Sequence, residues 1–240
     1  MTIPRILEGQ ISGKEAVIKG EEHHYATSVL RLKKGEEFLL RVGEKEYLIK
    51  VTSISNRELR GEINKEISLS KDLPVKISLA IGFPEKDAFT DVLFMATELG
   101  VQEFYPIITE RVQHKIDKSK RYEKIIKEAI RASGRKIIPN LFKPQKLTEF
   151  IANLPENDLF FVFYEESPIS LKQVLGEVST DKPIKRILLF IGPEGGLERK
   201  EVELLKSVGA REASLGEVIF KVRTAVTSSL AIISHHFSNQ

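Results

Sequence analysis

A glycine-rich stretch, Gly192-Pro193-Glu194-Gly195-Gly196, is the part of the sequence whose residue types first suggest chemistry. It follows the apolar run Ile187–Ile191, which has the pattern of a parallel strand covered on both faces. Glycine accepts positive φ angles and lets a backbone approach a ligand closely, whereas proline fixes φ and removes one donor. The stretch therefore predicts a loop whose backbone closes round a bound molecule; a tight strand-to-helix connection is the simpler alternative.

A second stretch, further along the chain, has the pattern of a strand end, a turn and a helix start. Leu215-Gly216 ends a short strand, the apolar pair Ile219-Phe220 follows, and Thr224 is predicted to cap a final helix over about 224–237. Backbone groups in such a turn can surround an adenine, with apolar side chains against its faces. The common nucleotide motifs do not apply, because no Lys-Ser or Lys-Thr pair follows Gly196 and the GxGxxG spacing is missing.

Positive charge is concentrated in one region of the chain. Residues 111–146 hold 12 Lys/Arg and three Asp/Glu, a local net charge of +9, whereas the whole chain carries +3. Within this region, residues 118–135 predict a helix with one apolar face and cations on the others. Such clustering is the electrostatic footprint of a polyanion binder. We therefore predict contact with nucleic acid; a solvated helix face is the alternative.

Composition argues against several kinds of site. The 240 residues include no cysteine, which rules out disulfides, thiolate metal ligands and thiol catalysis, and suits a reducing cytosol. The five histidines lack ligand spacing, so no metal is expected. The first residues lack the apolar segment of a signal peptide, and no window approaches the ~18 apolar residues of a membrane span. We therefore expect a cytoplasmic protein with no membrane partner.

The order of predicted elements indicates two parts. Residues 1–70 are rich in short strands, with one short helix within 21–35 that Gly35 ends, and they suggest a compact barrel or sandwich. The polar stretch 64–74 has the composition of a linker. From Val75 onward strands and helices alternate, which predicts an α/β domain with a mostly parallel sheet. The predicted strands are 15–20, 36–42, 45–54, 57–63, 75–82, 103–108, 158–165 and 187–191.

Taken together, GPEGG and LG-x-x-I-F-K-x-x-T-A resemble the motifs of one family. The chain is similar to the SPOUT class of S-adenosylmethionine-dependent RNA methyltransferases, and within it to the RsmE family, which methylates N3 of a uridine in small-subunit (16S) ribosomal RNA. The resemblance extends over most of the chain, because three further segments carry it. They are HHYATSVLRLKKGEE (23–37), ATELGVQEFYPIITERV (96–112) and EAIRASGRKIIPNL (128–141).

The resemblance implies a fold and a set of partners. A small, β-rich, PUA-like RNA-binding barrel would span 1–72, and a SPOUT methyltransferase domain would span 73–240. That domain would be α/β, with a mostly parallel sheet, flanking helices and a trefoil knot over about 150–240. S-adenosyl-L-methionine would be the cofactor, and ribosomal RNA or the small ribosomal subunit the partner. The final helix would form a homodimer; a core helix of the monomer is the alternative.

Candidate site residues follow from the same resemblance. Three loops would hold the cofactor through Tyr164, Glu165, Ile191, Gly192, Pro193, Glu194, Gly195, Gly196, Leu215, Gly216, Val218, Ile219, Phe220, Thr224 and Ala225. The candidate catalytic residues are Arg135, Glu194 and Lys221. Arg135 would stabilise the negative charge that develops as uridine N3 loses its proton, or else contact phosphate. Glu194 would orient the base or hold the loop, and Lys221 would contact RNA or cofactor.

Further cations would mostly hold RNA phosphates, which gives affinity without sequence information. They are Arg31, Lys33, Arg111, Lys115, Lys118, Arg121, Lys124 and Lys136. Four positions depart from the family pattern: Lys221 stands where arginine is usual, Arg223 where glutamate is usual, Ala132 where glutamine is common, and Glu198 where serine or threonine often caps the helix. These departures keep two alternatives open: a non-catalytic RNA-binding or ribosome assembly factor, and a SPOUT methyltransferase that acts on a ribose 2′-hydroxyl.

Overall fold

The computed structural model describes residues 3–68, 72–112, 121–178 and 183–238. The described residues form two compact units. The first contains the chain up to residue 68 together with the later segment Ile130–Lys136, and the second contains the remainder. The second unit is therefore interrupted by a segment that folds with the first, which no sequence pattern had indicated.

Strands and helices have the following bounds. The strands are β1 (Arg5–Ile6), β2 (Gln10–Ser12), β3 (Glu15–Lys19), β4 (Glu37–Val42), β5 (Lys45–Ile54), β6 (Glu58–Ile67), β7 (Lys76–Gly82), β8 (Val101–Ile108), β9 (Asn140–Leu141), β10 (Gln145–Lys146), β11 (Leu159–Phe163), β12 (Arg186–Ile191) and β13 (Arg211–Ala213). The α-helices are α1 (Gly20–His24), α2 (Lys86–Glu98), α3 (Arg121–Ser133), α4 (Leu147–Ala152), α5 (Leu171–Gly176), α6 (Arg199–Ser207) and α7 (Val222–Phe237), and a π-helix spans Tyr25–Val29.

The first unit is built on a six-stranded sheet in the order β1-β4-β5-β6-β3-β2. Its pairs are antiparallel except β1 with β4. Alternating apolar residues turn one face inward, and Ile18, Phe38, Leu40 and Ile49 are fully buried there. The predicted strands of this unit are confirmed. The linker predicted to begin at residue 64 is wrong at its start, because β6 continues to Ile67.

The helical segment of the first unit differs from the prediction that Gly35 ends it. The short helix α1 runs into the π-helix, which ends at Val29, with Leu30 as its C-terminal capping residue. Arg31 then adopts a left-handed conformation with φ of 55°, and the amide of Leu32 donates to the carbonyl of Ala26 at 3.0 Å. Glycine usually occupies this position after a helix, because a side chain there is strained.

Buried charges fix the segment Ile130–Lys136 to the sheet of the first unit. The Arg41 guanidinium donates to the carbonyls of Arg135 at 2.8 Å and Lys136 at 3.3 Å. Arg5 donates to the carbonyl of Arg131 at 3.0 Å, and the side chain of Arg131 forms an ion pair with Glu22. Arg41 and Glu22 are both nearly inaccessible to solvent. Removing one partner of such a pair leaves a buried charge without compensation, which costs about 3–5 kcal/mol.

The second unit contains a seven-stranded sheet whose main path is β10-β8-β7-β12-β11-β13, with β9 paired to β8. Every pair in it is parallel, as predicted. Strands β11 and β12 contain unbroken apolar runs, and β7 contains one that only Ser78 interrupts, because helices cover both faces of the sheet. Apolar clusters fill both sides. The carboxyl ends of these strands meet at one edge of the sheet.

Helices α2 and α7 pack together near that edge. Helix α2 ends before Gly100, whose φ of 92° confirms its predicted place after the helix. Helix α7 begins at Val222, with Lys221 at the capping position and no side-chain cap. The prediction that Thr224 caps this helix is therefore wrong, since Thr224 lies within the first turn. The reason is that the helix starts earlier than its apolar spacing suggested.

Candidate functional site

A cavity of about 500 Å³ lies within the second unit. Three chain segments supply most of its lining: residues within 163–165 at the end of β11, within 191–196 at the end of β12, and within 215–225 at and before the start of α7. Glu85 and Ala88, at the start of α2, complete the lining. Its volume is in the range of small-molecule sites. In open parallel α/β sheets, ligands bind outside the carboxyl ends of the strands. The position and size of this cavity therefore indicate a ligand site.

Most residues expected to hold the cofactor line this cavity. They are Tyr164, Glu165, Ile191, Gly192, Pro193, Glu194, Gly196, Leu215, Gly216, Val218, Ile219, Phe220 and Ala225. Two residues expected to hold the cofactor, Gly195 and Thr224, do not line the cavity. Of the catalytic candidates, Glu194 and Lys221 line it. The sequence interpretation missed five residues of the lining: Glu85, Ala88, Phe163, Val222 and Arg223.

Close backbone contacts explain the glycines of the loop. A methyl group on Gly82, at the end of β7, would lie 2.3 Å from Pro193 Cδ and 2.5 Å from Pro193 N. One on Gly192 would lie 3.0 Å from Leu197 Cγ. Gly196 has a φ of 72°, and its amide donates to the carbonyl of Pro193 at 2.8 Å. The loop therefore presents backbone, without side chains, at these points of the cavity wall.

Glu194 connects the glycine loop to helix α2. Its carboxylate oxygens accept hydrogen bonds from the amide of Glu85 at 3.2 and 3.3 Å. Glu85 is the capping residue of α2 and has no side-chain cap of its own. A carboxylate is stabilised beside the amides at a helix N-terminus. This contact supports the alternative interpretation of Glu194, in which it holds the shape of the loop.

Charged and phenolic groups surround the cavity. The guanidinium of Arg223 lies 3.0 Å from a carboxylate oxygen of Asp91 on α2. Both side chains are about half exposed, so the pair contributes little stability. The hydroxyl of Tyr164 donates to Glu166 Oε2 at 2.7 Å, and this hydrogen bond raises the pKa of Tyr164. Tyr164 is therefore a neutral donor at ordinary pH.

The lining fits S-adenosylmethionine by its chemistry. Ile191, Leu215, Ile219 and Phe220 offer apolar surface to an adenine. Gly192 and Gly196 have no side chain, so their backbone can approach a ligand closely. The three carboxylates of the lining, from Glu85, Glu165 and Glu194, outnumber its two cations, Lys221 and Arg223, which suits a sulfonium. The wall thus combines the apolar, polar and acidic groups that such a ligand needs.

The remaining predicted residues lie in different surroundings. Arg135 is half-buried in the first unit. Lys136 forms an ion pair with Glu44 at 3.3 Å, and Arg111 donates to the carbonyl of Gly195. The exposed ones are Arg31, Lys33, Arg111, Arg121 and Lys124. Lys115 and Lys118 lie outside the described residues.

The strained backbone of Arg31 gives a test of its predicted RNA contact. Arg31→Gly should raise the free energy of unfolding by about 1 kcal/mol, because glycine removes the left-handed penalty. The same change should weaken binding to small ribosomal subunits and lower the salt dependence of binding. Urea unfolding and filter binding at several salt concentrations measure the two effects. Unchanged RNA binding would remove Arg31 from the RNA surface.

Among the described residues there is neither a membrane-spanning helix nor a cluster of metal ligands. None of their helices is both long and apolar enough to cross a bilayer. No group of three or more histidine or acidic side chains is arranged to hold a metal ion in the same parts of the chain.

The parallel sheet, the pocket at the carboxyl edge of its strands and the preceding β-rich unit define a class of protein, the α/β proteins with a small-molecule site at the edge of a parallel sheet. Comparison with known families refines this class. The RNA methyltransferase domain family matches residues 71–234, and the RNA methyltransferase PUA domain family matches residues 18–64.

Individual relatives agree with the family match. The chain is 31% identical to ribosomal RNA small subunit methyltransferase E of Aquifex aeolicus over 90% of this chain and 91% of the relative. It is 29% identical to the Bacillus subtilis protein of the same name, over 91% and 89%. A Legionella pneumophila protein solved with the cofactor SAM bound has a TM-score of 0.85 at 26% identity, and 98% of each chain is covered. The chain belongs to the ribosomal RNA small subunit methyltransferase E family of RNA methyltransferases.

Proposed function

We propose that this protein transfers a methyl group from S-adenosylmethionine to N3 of a specific uridine in 16S ribosomal RNA. The observation that carries the proposal is the cavity where three chain segments present apolar faces and unobstructed backbone at the carboxyl edge of a parallel sheet. The relatives' names specify small-subunit ribosomal RNA, and the Legionella structure contains SAM. N3 as the acceptor rests on the sequence resemblance.

The second unit is assigned to cofactor binding and positioning. When bound, S-adenosylmethionine supplies an activated methyl group, so the protein contributes mainly position and electrostatics. The backbone of residues 192–196 and the apolar residues of 215–220 hold the ligand. Glu194 keeps the loop against helix α2 through the amide of Glu85. Arg223 is assigned to positioning the start of α7 through Asp91, which gives the unusual arginine a partner.

The acceptor base sets a second requirement. Uridine N3 carries its proton on the Watson–Crick edge, so the base must be unpaired or turned out of its stack. As the N3–carbon bond forms, that proton must leave and negative charge must be stabilised. We assign this stabilisation to Arg135, with Lys221 contacting RNA or cofactor. Arg31, Lys33, Arg121 and Lys124 are assigned to phosphates.

We also propose a cytoplasmic homodimer with a knotted C-terminal region. Support for association comes from exposed apolar side chains near the cavity and on α7: Val218 is 70% exposed, Ile219 79% and Ile232 45%. Scattered apolar residues are common on surfaces, but the adjacent Val218 and Ile219 lie beside the cavity, where exposed apolar side chains favour an interface. Size-exclusion chromatography with light scattering should give twice the chain mass; a monomer at micromolar concentration would contradict the dimer.

Methyl transfer to unmethylated small ribosomal subunits tests the proposed function. Incubation with labelled S-adenosylmethionine, followed by reverse transcription, should place the label in 16S RNA and give one transcriptase stop next to a uridine. The stop is expected because a methyl group on N3 blocks base pairing. Cofactor binding without transfer would favour the non-catalytic assembly factor, and label without a stop would indicate a ribose 2′-hydroxyl as acceptor.

A further inference from the structure

The turn that follows β8 lies directly against the glycine loop. A methyl group on Gly195 would lie 3.1 Å from Arg111 Cβ and 3.5 Å from the carbonyl oxygen of Arg111. Gly192, Pro193, Glu194 and Gly196 line the cavity, whereas Gly195 does not. Gly195 is therefore a point at which the loop contacts the rest of the protein outside the cavity lining.

The side chain of Arg111 joins this loop to helix α6. Its Nη1 atom donates to the carbonyl of Gly195 at 2.9 Å, and its Nε atom lies 3.9 Å from Glu198 Oε1. Glu198 is the capping residue of α6, which begins directly after the loop. A planar guanidinium can reach both groups at once, in a way that a lysine ammonium cannot.

The turn that carries Arg111 is held independently of its side chain. The buried carboxylate of Glu201 accepts hydrogen bonds from the amides of Glu110 and Glu198, each at 3.0 Å. Lys200 lies between Glu110 at 3.6 Å and Glu198 at 3.3 Å. The backbone at Arg111 is therefore held in place without its side chain. Truncating the side chain should increase the mobility of the glycine loop but should leave the turn after β8 attached to α6.

We propose that Arg111 is a positioning residue for the cofactor loop and not a phosphate contact. By binding the Gly195 carbonyl from outside, it holds residues 192–196 in the conformation that receives S-adenosylmethionine. This inference rests on the proposed function and corrects the expectation, drawn from the basic region 111–146, that Arg111 binds RNA. Preorganised loops bind more tightly because less conformational entropy is lost on binding.

Calorimetric titration with S-adenosylmethionine tests the proposal. Arg111→Ala should raise Kd by about 10-fold, the effect expected from losing one charge-assisted hydrogen bond. Arg111→Lys should recover only part of the affinity. KM for the cofactor should rise with Kd, while kcat at saturating cofactor stays within about twofold, because the loop contact acts on binding and not on the chemical step. The salt dependence of binding to small ribosomal subunits should not change.

Amide hydrogen exchange in the ligand-free protein separates this inference from the proposed function. Arg111→Ala should accelerate exchange at Gly196, whose amide is protected by the turn bond to Pro193. This measurement needs no cofactor, so it can be made even if the wild type fails to bind S-adenosylmethionine. Such a failure would refute the proposed function and would leave the contact between Arg111 and the loop to be judged by the exchange rate. Unchanged exchange at Gly196 would overturn the role of Arg111 in the loop.

Two control variants complete the design. Arg211→Ala removes an exposed arginine of the same unit, on β13, and should leave Kd, KM and loop exchange unchanged. Lys124→Ala removes an exposed cation assigned to phosphate, and should lower the salt slope of RNA binding by about one. An Arg111→Ala variant that behaved like Lys124→Ala, with a lower salt slope and unchanged cofactor affinity, would overturn the proposal.

Discussion

Replacing Gly82 with alanine is expected to weaken S-adenosylmethionine binding by more than about 10-fold and to lower turnover by about 100-fold, the effect of a displacement of about 1 Å at an active site. The added methyl group would lie 2.3 and 2.5 Å from Pro193 Cδ and N and 3.0 Å from the carbonyl carbon of Gly192. These are ring and backbone atoms, so they cannot rotate away. Either the loop moves or the strand moves, at a cost of about 1–3 kcal/mol.

Gly176→Ala is the matched control for Gly82→Ala. Gly176 is the last residue of α5, and an added methyl group would meet no atom within 4 Å. This change should leave cofactor affinity unchanged and should stabilise the protein by up to about 1 kcal/mol. Calorimetric titration and thermal unfolding measure both variants. Wild-type affinity in Gly82→Ala would show that the contact between β7 and the loop is not rigid.

Arg135→Ala is expected to reduce turnover by about 10²–10³-fold while cofactor affinity stays constant, because removing a donor that stabilises developing negative charge has an effect of this size. The backbone of Arg135 is bound by the buried Arg41, so the position of the residue does not depend on its own side chain. Single-turnover methyl transfer to small ribosomal subunits measures the rate of turnover, and calorimetric titration with S-adenosylmethionine measures the cofactor affinity separately.

Two further variants distinguish the roles open to Arg135. Arg135→Lys keeps the charge, so a phosphate contact should survive it, whereas a directed guanidinium contact should not. Arg57→Ala removes an exposed arginine of the same unit and should leave turnover unchanged. If Arg135→Ala lowers RNA affinity but has wild-type turnover at saturating RNA, Arg135 is a phosphate contact and leaves the catalytic assignment.

The parts of the structure that the sequence predicted are those with a strong local pattern. Strands β11 and β12 contain continuous apolar runs, β7 is apolar apart from Ser78 after its first residue, and the glycines of 192–196 mark a close backbone approach. Glu85 and Ala88 could not be assigned to the cavity in this way. They line it because β7 pairs with β12, and the order of strands depends on contacts distant in sequence.

Other differences arise where tertiary contacts outweigh local preference. Arg31 takes a conformation that its own side chain disfavours, and no composition rule indicates this. Lys221 occupies the capping position of α7, although Thr224 is the better capping residue by type. The segment Ile130–Lys136 continues a helix predicted from its periodicity, yet its partners Arg5, Glu22 and Arg41 lie far away in the chain.

The segment Ile130–Lys136 limits the ways in which the chain can be divided into fragments or recombined with relatives. A fragment that ends near residue 68 would contain every strand of the first sheet but would lack the side chain of Arg131 that pairs with the buried Glu22. The carbonyls that bind the buried Arg41 would be missing as well. A chimera that exchanges the N-terminal domain between relatives would therefore have to carry residues 130–136 with it. The first unit is discontinuous in the sequence, and substitutions at its two locations are expected to covary among relatives.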